Sequence, residues 1–305
     1  MTVLITSGSA YSDIDAFACA TALAEALRHK GQNAVAWLPG PPNLTIPAEF
    51  HHHPAFRLPC PKGNSDVILV DLSDPAHIPK ALAIEQVVAV FDHHFGHEEF
   101  WASSDAKASI EPVGAAATLI WEEVLSLKAA QHLSAGVLKA LCCAIVSNTV
   151  CFKLPLTTQR DRDALEMIEG MLAFEIDWRE RFLQEVDYGI FKNLKRAIAT
   201  DTKEIELTAT QSFRVGQIEV HDGARAIESL GSLVAAGEEL PDLVVVAARS
   251  AERTSLVTTQ IRIAEKLAEY YGVDLAQKSA LFECRLPNFR LRKMMLRDFS
   301  RVMLD

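Results

Sequence analysis

Asp13 and Asp15, Asp71 with Asp74, and the run Asp92-His93-His94 each follow closely on a short apolar stretch. Carboxylate oxygens mixed with imidazole nitrogens are what a divalent cation needs when it activates water. Singly, each signal has a plainer explanation. Asp is favoured just before a first helical turn, so Asp13 or Asp15 could be an N-cap. Asp71 and Asp74 could be ordinary turn residues. Two adjacent imidazoles rarely serve packing alone, which makes His93-His94 the sharper signal.

The elements that must position these residues are legible in the first half. Val3–Thr6 reads as a strand, and 16–30 as a helix with Phe17, Ala20, Leu23, Ala24 and Leu27 at helical spacing. Asn33–Trp37 follows, then a loop with Pro39, Pro41 and Pro42. Asp66–Asp71 and Gln86–Phe91 are near-continuous apolar runs of strand length, and 113–127, 134–147 and 158–172 look helical. Such strands separated by helices predict a parallel sheet covered on both faces. Ligands gather at the carboxyl ends of strands in these sheets, where all three acidic or imidazole clusters fall.

The text changes character near 186–195. Thr202–Thr208 and Phe213–Val220 alternate by twos, as half-buried antiparallel strands do. A helix over 223–236, a strand over 243–248, a helix over 261–271 and a basic tail come next. The expected fold class is α/β: a doubly wound parallel sheet domain over 1–188, then a smaller mixed α/β domain over 189–305.

Asp92-His93-His94 directly after a strand resembles the motif that names the DHH phosphoesterases. Asp13-x-Asp15 is similar to that family's first motif and Asp71 to its second. Glu111–Ile120 and Ala144–Pro155 resemble segments of the branch holding manganese-dependent (family II) inorganic pyrophosphatases, exopolyphosphatases and prune-like proteins. Phe213–Val220 and Leu291–Leu296 resemble parts of that branch's C-terminal domain.

The resemblance implies that Asp71 bridges two metal ions, Asp13 binds the first, and Asp15 and His93 bind the second. It implies that His94 contacts the substrate phosphate, that Asp92 orients the imidazoles, and that Arg292 and Lys293 clamp phosphates. Two positions depart from the family pattern: Ser9 stands where a His or Asn is usual, and Asn148 where an Asp is usual. An amide carbonyl still coordinates a hard cation but brings no charge. The implied cofactors are therefore two divalent ions, Mn2+ or Mg2+, with a weak second site. The implied activity is two-metal hydrolysis of a phosphoanhydride in pyrophosphate, short polyphosphate or a nucleotide polyphosphate. The rival is a binding or regulatory protein that senses a phosphorylated ligand without turning it over.

Composition agrees with a globular, cytoplasmic protein. No run approaches the roughly 18 apolar residues of a membrane span. The six cysteines lack paired metal-ligand spacing. A formal charge of −10 argues against broad nucleic-acid binding but not against a small anionic ligand, and a homodimer is compatible with it. Other tempting features read as structure: His51-His52-His53 as a solvated loop, His97 with Glu98 and Glu99 as a helix start, and Cys142-Cys143 as core. The loop carrying Arg249 and Arg253 fits either an exposed turn or a phosphate contact.

Overall fold

In the computed structural model, which describes residues 2–60, 63, 65–208 and 210–304, the chain divides into two compact units, Met1–Leu183 and Gln184–Asp305. The first is built on β1 (Thr2–Thr6), α1 (Ile14–His29), β2 (Asn33–Ala36), β3 (Ser65–Val70), β4 (Val87–Asp92), α2 (Glu98–Ala102) and β5 (Lys107–Ile110). Helices α3 (Ala116–Ser126), α4 (Ala135–Thr149) and α5 (Gln159–Glu169) follow, and α6 (Trp178–Lys192) contains the boundary. The strands form a parallel sheet in the order β2-β1-β3-β4-β5. This is a doubly wound order whose direction reverses between β1 and β3, the point where such sheets place their ligands.

Burial explains the sequence pattern. Val67, Leu69, Val87, Val90 and Trp101 close one core cluster, and α1 packs on β1 and β2 and against α3 and α4. Helix α1 begins at Ile14, two residues earlier than its apolar spacing suggested, because the Asp13 side chain caps it by accepting from the Ala16 N–H at 2.9 Å. Helix α3 starts three residues later than expected. The Gly114 and Ala115 amides are held by Asp161 and do not enter the helix. The edge strand β5 has two exposed residues and no apolar run, so periodicity did not reveal it.

The second unit contains α7 (Leu194–Ala199), β6 (Thr202–Thr208), β7 (Gln211–Val220), α8 (Gly223–Ala235), β8 (Leu243–Ala248), β9 (Arg253–Thr258), α9 (Ile261–Tyr271), β10 (Leu275–Lys278), β11 (Leu281–Leu286) and α10 (Leu296–Leu304). Its mixed sheet runs β10-β11-β9-β8-β7-β6, with β7 and β8 parallel and the other neighbours antiparallel. Phe213, Val215, Val245, Leu256 and Phe299 lie in its core. What the sequence presented as a basic tail is a hairpin, β10–β11, followed by a short 3-10 turn at Arg292–Met294 and α10. No helix among the described residues is long and apolar enough to cross a membrane.

Candidate metal centre

Strand β3 ends at Val70, and Asp71 leaves it with φ +52°. That left-handed conformation costs a non-glycine residue of order 1 kcal/mol, Asp and Asn tolerating it best. A 2.8 Å hydrogen bond from the Asp71 N–H to the Phe91 carbonyl on the neighbouring strand holds the turn. One strand over, β4 ends at Asp92 and delivers His93 and His94 beside it. Among the described residues, Asp71, Asp92, His93 and His94 form a group whose ligand atoms all lie within 4.8 Å of one another.

Asp92 is buried and works as an acceptor. Its Oδ1 takes the His93 N–H at 2.7 Å, the His94 N–H at 3.2 Å and His94 Nδ1 at 2.8 Å. Burial alone would raise this carboxyl. The imidazole of His94, its hydrogen bond and the imidazole of His93 outweigh burial and hold it well below the usual carboxylate range. With Nδ1 turned to Asp92, His94 keeps Nε2 for another contact, on a side chain that is one-third exposed (32%).

His93 is oriented differently from the expectation that Asp92 directs both imidazoles. Its Nδ1 lies 3.3 Å from the Val113 carbonyl oxygen, which can only accept, so Nδ1 donates there and Nε2 is turned toward the carboxylates. Nε2 stands 3.4 Å from Asp71 Oδ1 and 3.8 Å from Asp15 Oδ2. These separations exceed good hydrogen-bond lengths and match two ligands of one cation bound at roughly 2.0–2.2 Å from each. An imidazole nitrogen set beside the carboxylates of Asp71 and Asp15 is a donor set a divalent ion fits.

Asp15 is fully buried in the first turn of α1, where it accepts from the Ala116 N–H at 2.9 Å and the Ala117 N–H at 2.8 Å. One turn on, burial first and then the charges of Asp15 and Asp71 push the Cys19 thiol far up, so it stays a neutral core group. Asp13 uses one oxygen to cap α1. Asn148 keeps its amide on its own helix, Nδ2 donating to Ala144 O at 3.4 Å. Ser9 is exposed.

Arg292 has partners within its own domain. It is buried, and its guanidinium donates to Asp201 Oδ1 at 2.6 Å, to the Asp201 carbonyl and to the Val215 carbonyl at 3.0 Å. Its fork is thus engaged by its own domain. Lys293, the next residue, is only partly buried. Arg249, read from sequence as part of an exposed or phosphate-facing loop, is also buried and donates to Asp187 Oδ1 at 2.6 Å.

The remaining features are structural. His51 meets the Ile46 carbonyl at 2.8 Å, His52 meets Arg57, and His53 packs edge-on against Phe17. His97 occupies the N-cap position of α2, and Cys142 and Cys143 are core. Sequence reasoning missed Asp161. Its one visible signal was the capping box Thr158-x-x-Asp161, which announces a helix start and nothing more.

Residues 3–145 match the DHH family, N-terminal domain. The chain is 27% identical over 176 residues to a protein of Lactobacillus delbrueckii subsp. bulgaricus named "probable manganese-dependent inorganic pyrophosphatase", over 57% of this chain and 55% of that one. A Deinococcus radiodurans protein of the same name is 30% identical over 171 residues, 54% of this chain and 53% of that one. The matched stretch spans about half the length of these relatives. Among solved structures, a Methanococcus jannaschii protein whose name assigns it to the family II inorganic pyrophosphatases superposes with a TM-score of 0.69 at 21% identity, covering 99% of each chain. An exopolyphosphatase-related protein from Bacteroides fragilis gives 0.50 at 11% identity over 98% of this chain and 91% of that one. At these identities the likeness establishes the α/β fold.

Proposed function

We propose that this chain, whose residues 3–145 match the DHH family, is a metal-dependent phosphohydrolase that cleaves a phosphoanhydride, with pyrophosphate as first substrate and short polyphosphate or a nucleotide polyphosphate as further ones. The observation that carries this reading is His93 Nε2, placed 3.4 Å from Asp71 Oδ1 and 3.8 Å from Asp15 Oδ2. Asp71 with Asp13 would hold a first divalent ion, and Asp71, Asp15 and His93 a second. Mn2+ is the first candidate, because the relatives' names carry it, and Mg2+ the second. When bound, such ions lower the pKa of a coordinated water and neutralise charge on the phosphate oxygens.

The chain's own residues would do the rest. Asp92 holds His94 so that Nε2 is free to meet a phosphate oxygen. Lys293 would bring positive charge to the substrate, while Arg292, tied to Asp201, would hold the turn that carries it. The names of the relatives point to the same chemistry. The test is phosphate release from pyrophosphate, tripolyphosphate and nucleotides with Mn2+, Mg2+ or Co2+. Release that depends on the metal and is lost in His93→Ala supports the reading; binding of Mn2+ without release from any of these substrates leaves the sensing role in its place.

A second reading has one specific observation behind it. Asn148 stands where the family pattern has a carboxylate, and its amide faces its own helix. Without that charge the second ion would bind weakly, which suits a chain that binds a phosphorylated ligand and turns it over slowly or not at all.

A further inference from the structure

Five consecutive residues, Val113 to Ala117, direct their backbone groups at three side chains. The Val113 carbonyl faces His93 Nδ1, and the Ala116 and Ala117 amides hold the Asp15 carboxylate. The two amides between them, Gly114 and Ala115, are held by Asp161. Asp161 lies near the start of α5, is fully buried, and belongs to no group of metal-ligating residues.

Its contacts exceed what a helix cap requires. The capping box is complete once Asp161 accepts from the Thr158 N–H at 2.7 Å and the Thr158 hydroxyl accepts the Asp161 N–H at 3.4 Å; the Thr158 hydroxyl also donates to Asp161 at 2.8 Å. Beyond these, its two oxygens accept the Gly114 N–H at 3.0 and 2.9 Å, the Ala115 N–H at 3.3 Å and the Thr118 hydroxyl at 2.6 Å. Those donors lie 43 to 47 residues away in the chain, so the carboxylate staples the start of α3 to α5. Gly114 is part of the fit. A Cβ there would come within 2.5 Å of Thr149 Cγ2 and 3.1 Å of Asp161 Oδ2.

We infer that Asp161 is a positioning residue for the metal centre: by fixing residues 113–117 it sets both the ring of His93 and the carboxylate of Asp15. The inference rests on the proposal that Asp15 and His93 hold a cation. A ligand whose outer partner moves loses aim, and the usual cost is 10–100-fold in metal affinity. Asp161 would act one step further out, through the backbone segment that carries those partners.

The test measures Mn2+ affinity of the full chain by calorimetry and by the EPR signal of free Mn2+. Asp161→Asn puts amide hydrogens against N–H donors, and we expect Mn2+ binding about tenfold or more weaker. Thr118→Val removes a single donor to the same carboxylate and should weaken it several-fold, which decides the matter alone if Asp161→Asn does not fold. Ile168→Val, a buried position on the same helix, controls for general destabilisation and should leave affinity unchanged. Wild-type affinity in folded Asp161→Asn or in Thr118→Val, or an equal loss in Ile168→Val, would overturn the inference. Failure of the unaltered chain to bind Mn2+ would overturn instead the metal-centre reading beneath it, and the inference with it.

Discussion

His93 and Val113, twenty residues apart, meet through a 3.3 Å contact from Nδ1 to the carbonyl oxygen. That contact fixes the orientation of the His93 ring. Nδ1 keeps its proton, so Nε2 is the atom that faces the carboxylates of Asp71 and Asp15. A metal-ligating histidine commonly has its other nitrogen fixed in this way by a carbonyl or carboxylate.

Asp71→Asn is expected to abolish tight Mn2+ binding while leaving the fold intact. Asn accepts the φ of +52° at this position as readily as Asp, so the backbone turn has no reason to change. The substitution removes the charge that the proposed bridging ligand supplies. Affinity should fall by more than the roughly 10–100-fold typical of losing an outer partner. A titration beside a circular-dichroism melt checks both halves, and full affinity would remove Asp71 from the site.

Asn148→Asp is expected to raise Mn2+ affinity. The new carboxylate brings charge as well as an oxygen donor, and the side chains are nearly the same size. The long 3.4 Å hydrogen bond to the Ala144 carbonyl is lost, so stability should drop by no more than about 1 kcal/mol. Metal titration together with a denaturant melt reads both. Unchanged affinity would show that Asn148 does not serve the ions.

Arg292 and Lys293 should separate cleanly. Truncating Arg292 leaves Asp201 without its buried partner, and Arg292→Ala should cost about 2–4 kcal/mol of stability. Lys293→Ala should leave stability within about 0.5 kcal/mol, as partly exposed positions usually do. If Lys293 meets the substrate phosphate, KM for pyrophosphate rises in that variant while Mn2+ affinity stays. Equal melting losses in the two variants would refute the division of roles.

Glu219 should make the stability of the second domain depend on pH. Burial, and then the charge of Asp201, push its carboxyl up to about 7, against the opposing pull of Arg249, Lys293 and Arg292. A carboxyl raised in the folded state holds its proton when the unfolded chain has released it. Its contribution is therefore fully present below about 4.5, the ordinary value, and is lost as pH rises through about 7. Glu219→Gln keeps the acceptor that Gln217 Nε2 uses at 2.9 Å and cannot ionise. The variant should melt higher than the parent at pH 8 and lack the parent's loss between pH 5 and 8. Parallel melting curves across that range would show that Glu219 is not the group responsible.

The sequence by itself determined the alternation of strands and helices in the first domain and the residues at its sheet edge. Both are local matters. Apolar strand runs and helical spacing repeat over a few residues; Asp71 and Asp92–His94 adjoin two of those runs, and Asp13 and Asp15 stand at the start of the first helical one. Helix α9 was legible to the residue from its periodicity, while β10 and β11 were not, being short strands in a stretch that read only as basic. Tertiary structure alone decided how the site is held. The pairing of Asp161 with Gly114, of Asp15 with Ala116 and Ala117, and of Arg292 with Asp201 joins positions 47 to 102 residues apart. In each case a buried polar group must find its partner wherever the fold brings one within about 3 Å. No periodicity records that distance, so the pairing of Arg292 with Asp201 was not legible in sequence.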